Sequence, residues 1–436
     1  MRSIFVVPAA LLFLIALPQG VRSQEPGTAD TLQKEAVKAY IDCSSCDYDY
    51  LRTEVTFVNY VRDRAEADLH VLVTTQTTAS GGTEHTITLI GQGRFAGASD
   101  TLLYISRQSE TQDEVRAGLV RVLKAGLLRY ALKTPLGGFL TVQYSRPSVA
   151  GPVTDKWDYW VFRISLNGFL DGEQQTTNKS LGASVSANRV TEDWKVNLSA
   201  RTRYSDRRFD FEDAIVKDIQ RSQYVEGLLV RSLDDHWSVG LSGWLESSSY
   251  NNTRLVYRMA PALEYDLFPY SHSTREQLRF MYRLGVNRAS YQDSTIFDKI
   301  AETYVSQSLD IALELKQPWG SISASLEGVH YPWDRRTEGK PLGQRISWNI
   351  FGMISWKVFE GFSIDMYGGY SSIHDQFSLR KGEASRDDVL LQRTRLATNY
   401  SYNMAFGVSY TFGSIFNNIV NPRMGGGGGS SMTISF

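Results

Sequence analysis

Cys43 and Cys46 are the residues whose type and spacing most directly suggest chemistry. In an oxidising compartment two thiols this close are expected to form a disulfide. A redox-active pair would instead use a helix N-terminus to stabilise a thiolate. A metal site would need further ligands, for which His70 and His85 are the nearest candidates. We favour a structural disulfide, with no metal and no cofactor.

Four further histidines lie in the C-terminal two thirds of the chain. A hydrolase would need one of them beside a Ser or Asp nucleophile. His236 and His272 fall in predicted short turns, His330 lies near the end of a predicted strand, and His374 lies in a predicted loop. No Ser–His–acid spacing stands out, so we predict no catalytic residues.

Arginines recur at positions that alternate with apolar residues. The predicted water-facing, lumen positions include Arg163, Arg201, Arg203, Arg258, Arg279, Arg283 and Arg345. Acidic residues share that face, namely Glu246, Glu264, Asp310, Glu314, Glu327 and Asp365. Because buried charges need partners, these groups could fill the interior as paired ions. Alternatively, an arginine-dominated stretch would set the ion preference of a conduit. The sequence leaves both interpretations open.

The elements that must position these arginines are β-strands. From residue 157 apolar and polar residues alternate in about twelve segments, as in 160–167, 181–188 and 278–286. A strand sends neighbouring side chains to opposite faces, so each segment has one apolar and one polar face. A soluble β-sandwich would show the same alternation.

Loop lengths and aromatic residues separate the two architectures. Short connections are predicted near 191–193, 234–236, 269–271, 317–318 and 360–361, and long ones near 170–179, 205–222, 247–253, 288–303, 332–343 and 371–395. Trp194, Trp237, Trp319 and Phe362 directly follow short turns. Short turns at one end, long loops at the other and a ring of aromatics are typical of outer-membrane barrels. We therefore predict an antiparallel transmembrane β-barrel over 157–412.

The N-terminus has the pattern of a secretory signal. Arg2 precedes an apolar stretch at 4–17, and cleavage is expected before Gln24, so residues 1–23 are the predicted signal peptide. A retained anchor is the alternative. Beyond residue 24 no run of 18 apolar residues occurs.

A small α/β domain is predicted at 38–134, after a flexible stretch at 24–37. Strands are expected near 39–42, 69–76, 85–90 and 101–106, with a helix at 51–61 capped by Asp49 and a second helix opened by a capping box at 111–114. The predicted order is β-α-β-β-β-α. A further strand is expected near 139–144, within a linker that covers 135–156.

The last predicted strand, 403–412, alternates apolar residues and ends with Tyr410 and Phe412. It resembles the C-terminal signal that bacterial barrels present to their insertion machinery, although a glycine-rich tail at 413–436 follows it. Across 157–412 the chain resembles Gram-negative outer-membrane barrels with a small periplasmic domain, a group to which no single activity attaches. The resemblance implies an outer-membrane location, contact with lipid and an N-terminal domain in the periplasm.

Composition narrows the functions further. The net charge is −1 with 21% charged residues, which gives no reason to expect nucleic acid as a partner. Our leading hypothesis is a narrow channel or transporter for small polar solutes. The second is a non-conducting structural or interaction barrel that acts through its periplasmic domain, with a protein partner there, or through its outer loops. An outer-membrane hydrolase ranks third. The oligomeric state is left open.

Overall fold

A computed structural model describes residues 35–78, 81–143, 155–210, 215–382, 394–414 and 418. The predicted signal peptide, most of 24–37, most of the linker and most of the tail lie outside the described residues. The described chain forms two sheets, one of five strands and one of twelve. The predicted class, mainly β with about twelve antiparallel strands behind a small α/β domain, is confirmed.

The α/β domain is built on the five-stranded sheet. Its elements are β1 (Val37–Cys43), α1 (Tyr48–Glu54), β2 (Val58–Tyr60), β3 (Leu69–Thr77), β4 (Thr83–Gly91), β5 (Ser99–Ser106) and α2 (Gln112–Ala131). The strand order is β2-β1-β3-β4-β5, with β1 parallel to both neighbours and the other pairs antiparallel. Leu123, Leu127 and Tyr130 of α2 are fully buried in one core with Ile87 and Leu89 of β4.

Two local predictions in this domain were wrong. The first helix is shorter than expected and is capped by Asp47, whose Oδ1 accepts a hydrogen bond from the N–H of Tyr50 at 2.9 Å. Residues Val58–Tyr60 instead form a strand, because pairing with β1 outweighs their helix-compatible spacing. The strand predicted at 139–144 is absent from its described part, where a 3-10 helix (Pro135–Phe139) precedes irregular chain.

The large sheet is one continuous meander. Its strands are β6 (Trp160–Gly172), β7 (Thr176–Val190), β8 (Trp194–Asp210), β9 (Ile215–Ser232), β10 (Trp237–Ser248), β11 (Thr253–Asp266), β12 (Glu276–Tyr291), β13 (Ala301–Gln317), β14 (Gly320–His330), β15 (Ile346–Phe359), β16 (Phe362–Ser372) and β17 (Tyr400–Tyr410). Each strand pairs antiparallel with the next. Within the described residues β6 pairs with β7 and β17 with β16, and no pairing joins these two end strands.

The connections define two ends of the sheet. At the domain end, which faces the α/β domain, they are 191–193, 233–236, 267–275, 318–319 and 360–361. At the loop end they are 173–175, 211–214, 249–252, 292–300, 331–345 and 373–399. The predicted long loops at 170–179 and 205–222 were wrong, since β6 to β9 extend through those polar residues. A hydrogen-bond ladder between two strands can continue there because exposed polar side chains need no apolar cover.

Apolar side chains cover the outward face of the sheet. Ile164 and Leu166 of β6 are 82% and 81% exposed, and Phe406 of β17 is 78% exposed. Trp194, Trp237 and Phe362 begin their strands at the domain end, and the rings of Phe359 and Phe362 stack with centroids 4.7 Å apart. This pattern, apolar outside with aromatics at one rim, is the one that lipid selects.

Gly91 tests the packing of the α/β domain. An added Cβ would lie 2.0 Å from the carbonyl oxygen of Phe95 and 2.4 Å from that of Ala98, so backbone would have to move. We expect Gly91→Ala to lower the free energy of unfolding of this domain by about 2–3 kcal/mol. Pulse proteolysis of the full chain in urea measures this. Gly138→Ala, where no atom lies within 4 Å, is the matched control, and equal effects of the two variants would contradict the packing.

Candidate functional site

The strand register places the predicted arginines on one face of the large sheet, which we call the polar face. Arg163, Arg201, Arg203, Arg258, Arg279 and Arg283 all lie at its positions, and so do Glu246, Glu264, Asp310, Glu314, Glu327 and Asp365. Arg345 is placed differently. It lies in the connection before β15, where its Nε donates to the carbonyl of Lys340 at 2.6 Å.

Two cavities lie along the polar face between β6 and β11. Their volumes are about 630 and 410 Å³, and Arg203, Ser222 and Tyr224 line both. Arg201 lines the larger cavity and Arg207 the smaller. Serine and glycine at facing positions of β7 leave this side of the sheet open to water-sized groups.

Two arginines of this open half differ in their partners. Arg201 is paired, since its Nη2 lies 2.9 Å from Glu226 Oε1. Arg203 donates from Nε to Ser180 Oγ at 3.2 Å, and among the described residues no carboxylate lies within 4 Å of it. A guanidinium has five N–H donors, so Arg203 can still donate hydrogen bonds to a solute. Arg203 is therefore an arginine of the open half that has no carboxylate partner among the described residues, while Glu246 also lines the smaller cavity.

The other half of the polar face, between β11 and β15, is filled by charged pairs. Arg283 Nη2 lies 3.0 Å from Glu327 Oε1, and Arg279 lies 3.5 Å from Asp310 and 3.8 Å from Glu264. In this half the structure agrees with the first interpretation of the sequence, in which paired ions fill the interior. Arg258 differs from these two, because its Nε and Nη2 are buried with no hydrogen-bond partner in the described chain.

A long loop folds over the polar face at the loop end. Phe377, only 6% exposed, packs against Tyr304 of β13 with ring centroids 5.3 Å apart. The ring centroids of Tyr331 and Phe377 are 4.8 Å apart. The Arg336 guanidinium lies 3.8 Å from the ring centroid of Phe377. We call residues 375–381 and this aromatic–arginine cage the outer cap.

Hydrogen bonds hold the outer cap in place. Tyr331 donates its hydroxyl proton to Asp375 Oδ2 at 3.0 Å. The N–H of Ile296 donates to the carbonyl of Leu379 at 2.9 Å, and Asn252 Nδ2 donates to the carbonyl of Ser378 at 3.0 Å. Four connections at the loop end, 249–252, 292–300, 331–345 and 373–399, are thereby tied together. The sequence predicted long loops here but not that one of them packs inward.

The α/β domain contacts the domain end of the sheet. Lys357, near the end of β15, donates to Asp42 Oδ2 at 2.9 Å and to the hydroxyl of Tyr40. Asp63 Oδ2 accepts from the N–H of Gly361 at 2.6 Å, and Arg64 donates to the carbonyl of Lys357 at 3.3 Å. We call this set the docking contact.

Residues near the C-terminus extend the docking contact. Arg62 donates to the carbonyl of Ser414 at 3.0 Å, and Asn418 Oδ1 accepts from the N–H of Tyr60 at 2.6 Å. The α/β domain thus also contacts the residues that follow β17. Arg64 also donates to the carbonyl of Pro318 in the neighbouring turn.

Asp42 is the charged centre of the docking contact. Burial raises its pKa, but the neighbouring imidazole of His70 and the charge of Lys357 lower it further than burial raises it. His70 Nε2 lies 3.3 Å from Asp42 Oδ2 and is itself fully buried. Because the net pKa of Asp42 is below 3.8, its contribution to docking is present above pH 3.8 and is lost as pH falls through the lower, folded-state pKa.

The other singled-out residues lie as follows. Cys43 and Cys46 are joined in a disulfide with their Cα atoms 5.6 Å apart. His85 lies on the helix-covered side of the small sheet and stacks on Tyr104 with ring centroids 5.5 Å apart. Tyr410 ends β17, and Phe412 follows it with 78% of its surface exposed. In the described part of the chain no group of three or more His, Cys, Asp and Glu is arranged to hold a metal ion.

Sequence reasoning did not identify the docking contact or the outer cap. Their partners are far apart in the chain: Asp42 and Lys357 are separated by 315 residues, and Asn252 and Ser378 by 126. One signal was present: Lys357 occupies a polar-face position two residues before the end of β15. A cation at that position, beside a short turn, has few partners within the sheet.

Comparisons with known proteins give little further detail. No protein-family model and no curated protein matches the chain. Among solved structures, the NanC porin in a rhombohedral crystal form has 11% identity and a TM-score of 0.29, over 57% of this chain and 99% of its own. CdiB from Acinetobacter baumannii has 8% identity and a TM-score of 0.27, over 86% of this chain and 74% of its own. At these TM-scores the likeness says nothing about function, and the fold rests on the strand pairing. Within the described residues, no helix has the length and apolarity that crossing a membrane would require.

The docking contact makes a testable prediction. Lys357→Met leaves Asp42 without the ammonium group that lies 2.9 Å from its Oδ2, and we expect amide exchange of residues 58–64 in the full chain to rise roughly tenfold. Hydrogen–deuterium exchange with mass spectrometry measures this. Lys316→Gln, a cation on the neighbouring part of the same rim that faces Glu314 at 3.8 Å, is the matched control. Unchanged exchange in Lys357→Met would mean that Lys357 does not hold the domain.

Proposed function

We propose that the chain is an outer-membrane β-barrel that conducts small polar solutes and prefers anions. The apolar outward face of the large sheet supports a lipid surrounding. Its polar face would then line the lumen, and the α/β domain, which lies at the short-turn end of the sheet, would be in the periplasm. Tyr410 and Phe412 would serve as the signal read by the barrel-insertion machinery.

The observation that carries this proposal is the position of Arg203 in the open half of the polar face. Arg203 borders both cavities there and lacks a carboxylate partner among the described residues. A guanidinium in a narrow, partly dehydrated lumen attracts anions and repels cations. Twelve strands give a lumen between the filled eight-stranded barrels and the open porins, so an arginine on the wall acts at short range.

Arg203→Gln tests the anion preference. We expect the anion-to-cation permeability ratio of the refolded protein in a planar bilayer to fall roughly threefold, because the unpaired charge is removed. Arg288→Gln is the matched control, since it removes the same charge from the outward face of β12. Equal ratios for Arg203→Gln and the unaltered protein would contradict an arginine-set preference.

A second candidate function is a non-conducting barrel that acts through its periplasmic domain or its outer loops. The outer cap favours it, because Phe377 packs over the polar face instead of extending into solvent. The docking contact also holds the α/β domain against the domain end of the large sheet. A closed barrel of this kind would bind a periplasmic protein partner and pass no current. No observation favours the third hypothesis, a hydrolase, and we propose that the protein is not an enzyme.

Opening the outer cap distinguishes the two candidates. Phe377→Ala removes the ring from its cage, and we expect single-channel conductance to increase roughly twofold if the cap narrows a conducting lumen. The exposed Trp333→Ala, on a neighbouring connection, is the control. The same recordings are made with residues 24–150 deleted. Silence in the unaltered, Phe377→Ala and deleted forms of correctly folded protein would exclude a channel and favour the interaction barrel.

A further inference from the structure

The α/β domain contains a cavity that the proposed conduction does not use. Its volume is about 600 Å³, within the range of small-molecule sites. It lies between the disulfide loop after β1, the first turns of α2 and the side chain of His85 on β4. Leu51, Leu119 and Val120 give it an apolar floor.

The walls of this cavity are held before any ligand arrives. The Cys43–Cys46 disulfide closes the loop that forms one wall. Arg116 of α2 crosses to that loop, with Nη1 2.9 Å from Asp47 Oδ2 and Nη2 2.7 Å from Asp113 Oδ1. A preformed site loses less entropy on binding than one that must order its walls.

His85 is the buried polar group of the cavity. It is 4% exposed, and neither ring nitrogen has a hydrogen-bond partner among the described residues. Buried polar side chains are nearly always paired, so an unpaired imidazole that lines a cavity is a place for a ligand. Burial lowers the pKa of His85, so the ring is neutral and offers one acceptor and one donor.

The remaining charge at the cavity is negative. Arg116 is occupied by Asp47 and Asp113, which leaves the carboxylate of Glu110. Glu110 Oε2 accepts a hydrogen bond from the Tyr104 hydroxyl at 3.1 Å, a neutral donor that cancels no charge. The same Tyr104 ring stacks on His85, so the carboxylate and the imidazole are held by one side chain.

We propose that this cavity binds a small amphipathic cation, an ammonium or guanidinium group on a short apolar chain. The cationic N–H groups would meet Glu110 and the acceptor nitrogen of His85, and the chain would pack on Leu119 and Val120. The cation could be a free molecule of the periplasm or the side chain of a lysine or arginine in a partner protein. The proposal does not depend on conduction by the barrel.

Calorimetric titration of the full chain in lipid nanodiscs tests it, with empty nanodiscs as blank. The probes are n-butylguanidine, its neutral isostere n-butylurea, pentanoate and the peptide acetyl-Leu-Lys-amide. We expect n-butylguanidine to bind at least tenfold more tightly than n-butylurea, and pentanoate not to bind. Glu110→Gln should weaken n-butylguanidine binding at least tenfold. Glu84→Gln, the same change beside His85 on a half-buried side chain that accepts a hydrogen bond from Gln76 at 3.0 Å, should leave n-butylguanidine binding unaltered.

Each outcome either supports or overturns the proposal. Equal binding of n-butylurea and n-butylguanidine, tighter binding of pentanoate, or equal effects of Glu110→Gln and Glu84→Gln would overturn the proposal, as would no binding of any cation. Tighter binding of acetyl-Leu-Lys-amide supports it and identifies a partner protein as the source. Tighter binding of n-butylguanidine supports it with a free cation as the source. Limited proteolysis of Glu110→Gln establishes that the domain is folded.

Discussion

The uninterrupted backbone hydrogen-bond ladder from β6 to β17 is the constraint on which the rest of the structure depends. Each strand pairs with its sequence neighbour, so the alternation of side chains is passed from strand to strand without a change of face. A slip of one residue in any pair would move every following arginine to the apolar side. Polar-face chemistry is therefore a consequence of register, and it needs no special local structure.

The polar face of this sheet has two halves that differ in how their charged residues are paired. Between β11 and β15 arginines meet acidic residues on adjacent strands, as with Arg283 and Glu327, and the outer cap packs above them. Between β6 and β11 the face has small residues, open volume and Arg203, which has no carboxylate partner in the described part of the chain. One half of the face thus resembles a filled interior and the other a solute path, because pairing depends on which residues the register places opposite each other.

The α/β domain is joined to the sheet by few contacts, and these are mostly polar. Lys357 reaches out of the large sheet to Asp42, which His70 supports from the side of the small sheet. Contacts of this kind are specific in direction but weak relative to a hydrophobic interface, so the two bodies can be held in one arrangement and still separate. The domain's own core and cavity lie on the other face of the small sheet, away from this contact.

The sequence by itself determined the class of the protein and the face of six of the seven arginines, because a period of two is a local property that each segment carries. It indicated about twelve strands. It also indicated the Cys43–Cys46 pair and the capping box at Thr111 and Glu114. Only the tertiary structure decided that Val58–Tyr60 is a strand, that Arg345 lies outside the sheet, and which arginines are paired. It alone brought Phe377 over Tyr304 and Asp42 to Lys357, because contacts between residues so far apart in the chain depend on the path of the backbone and leave no periodic trace in the sequence.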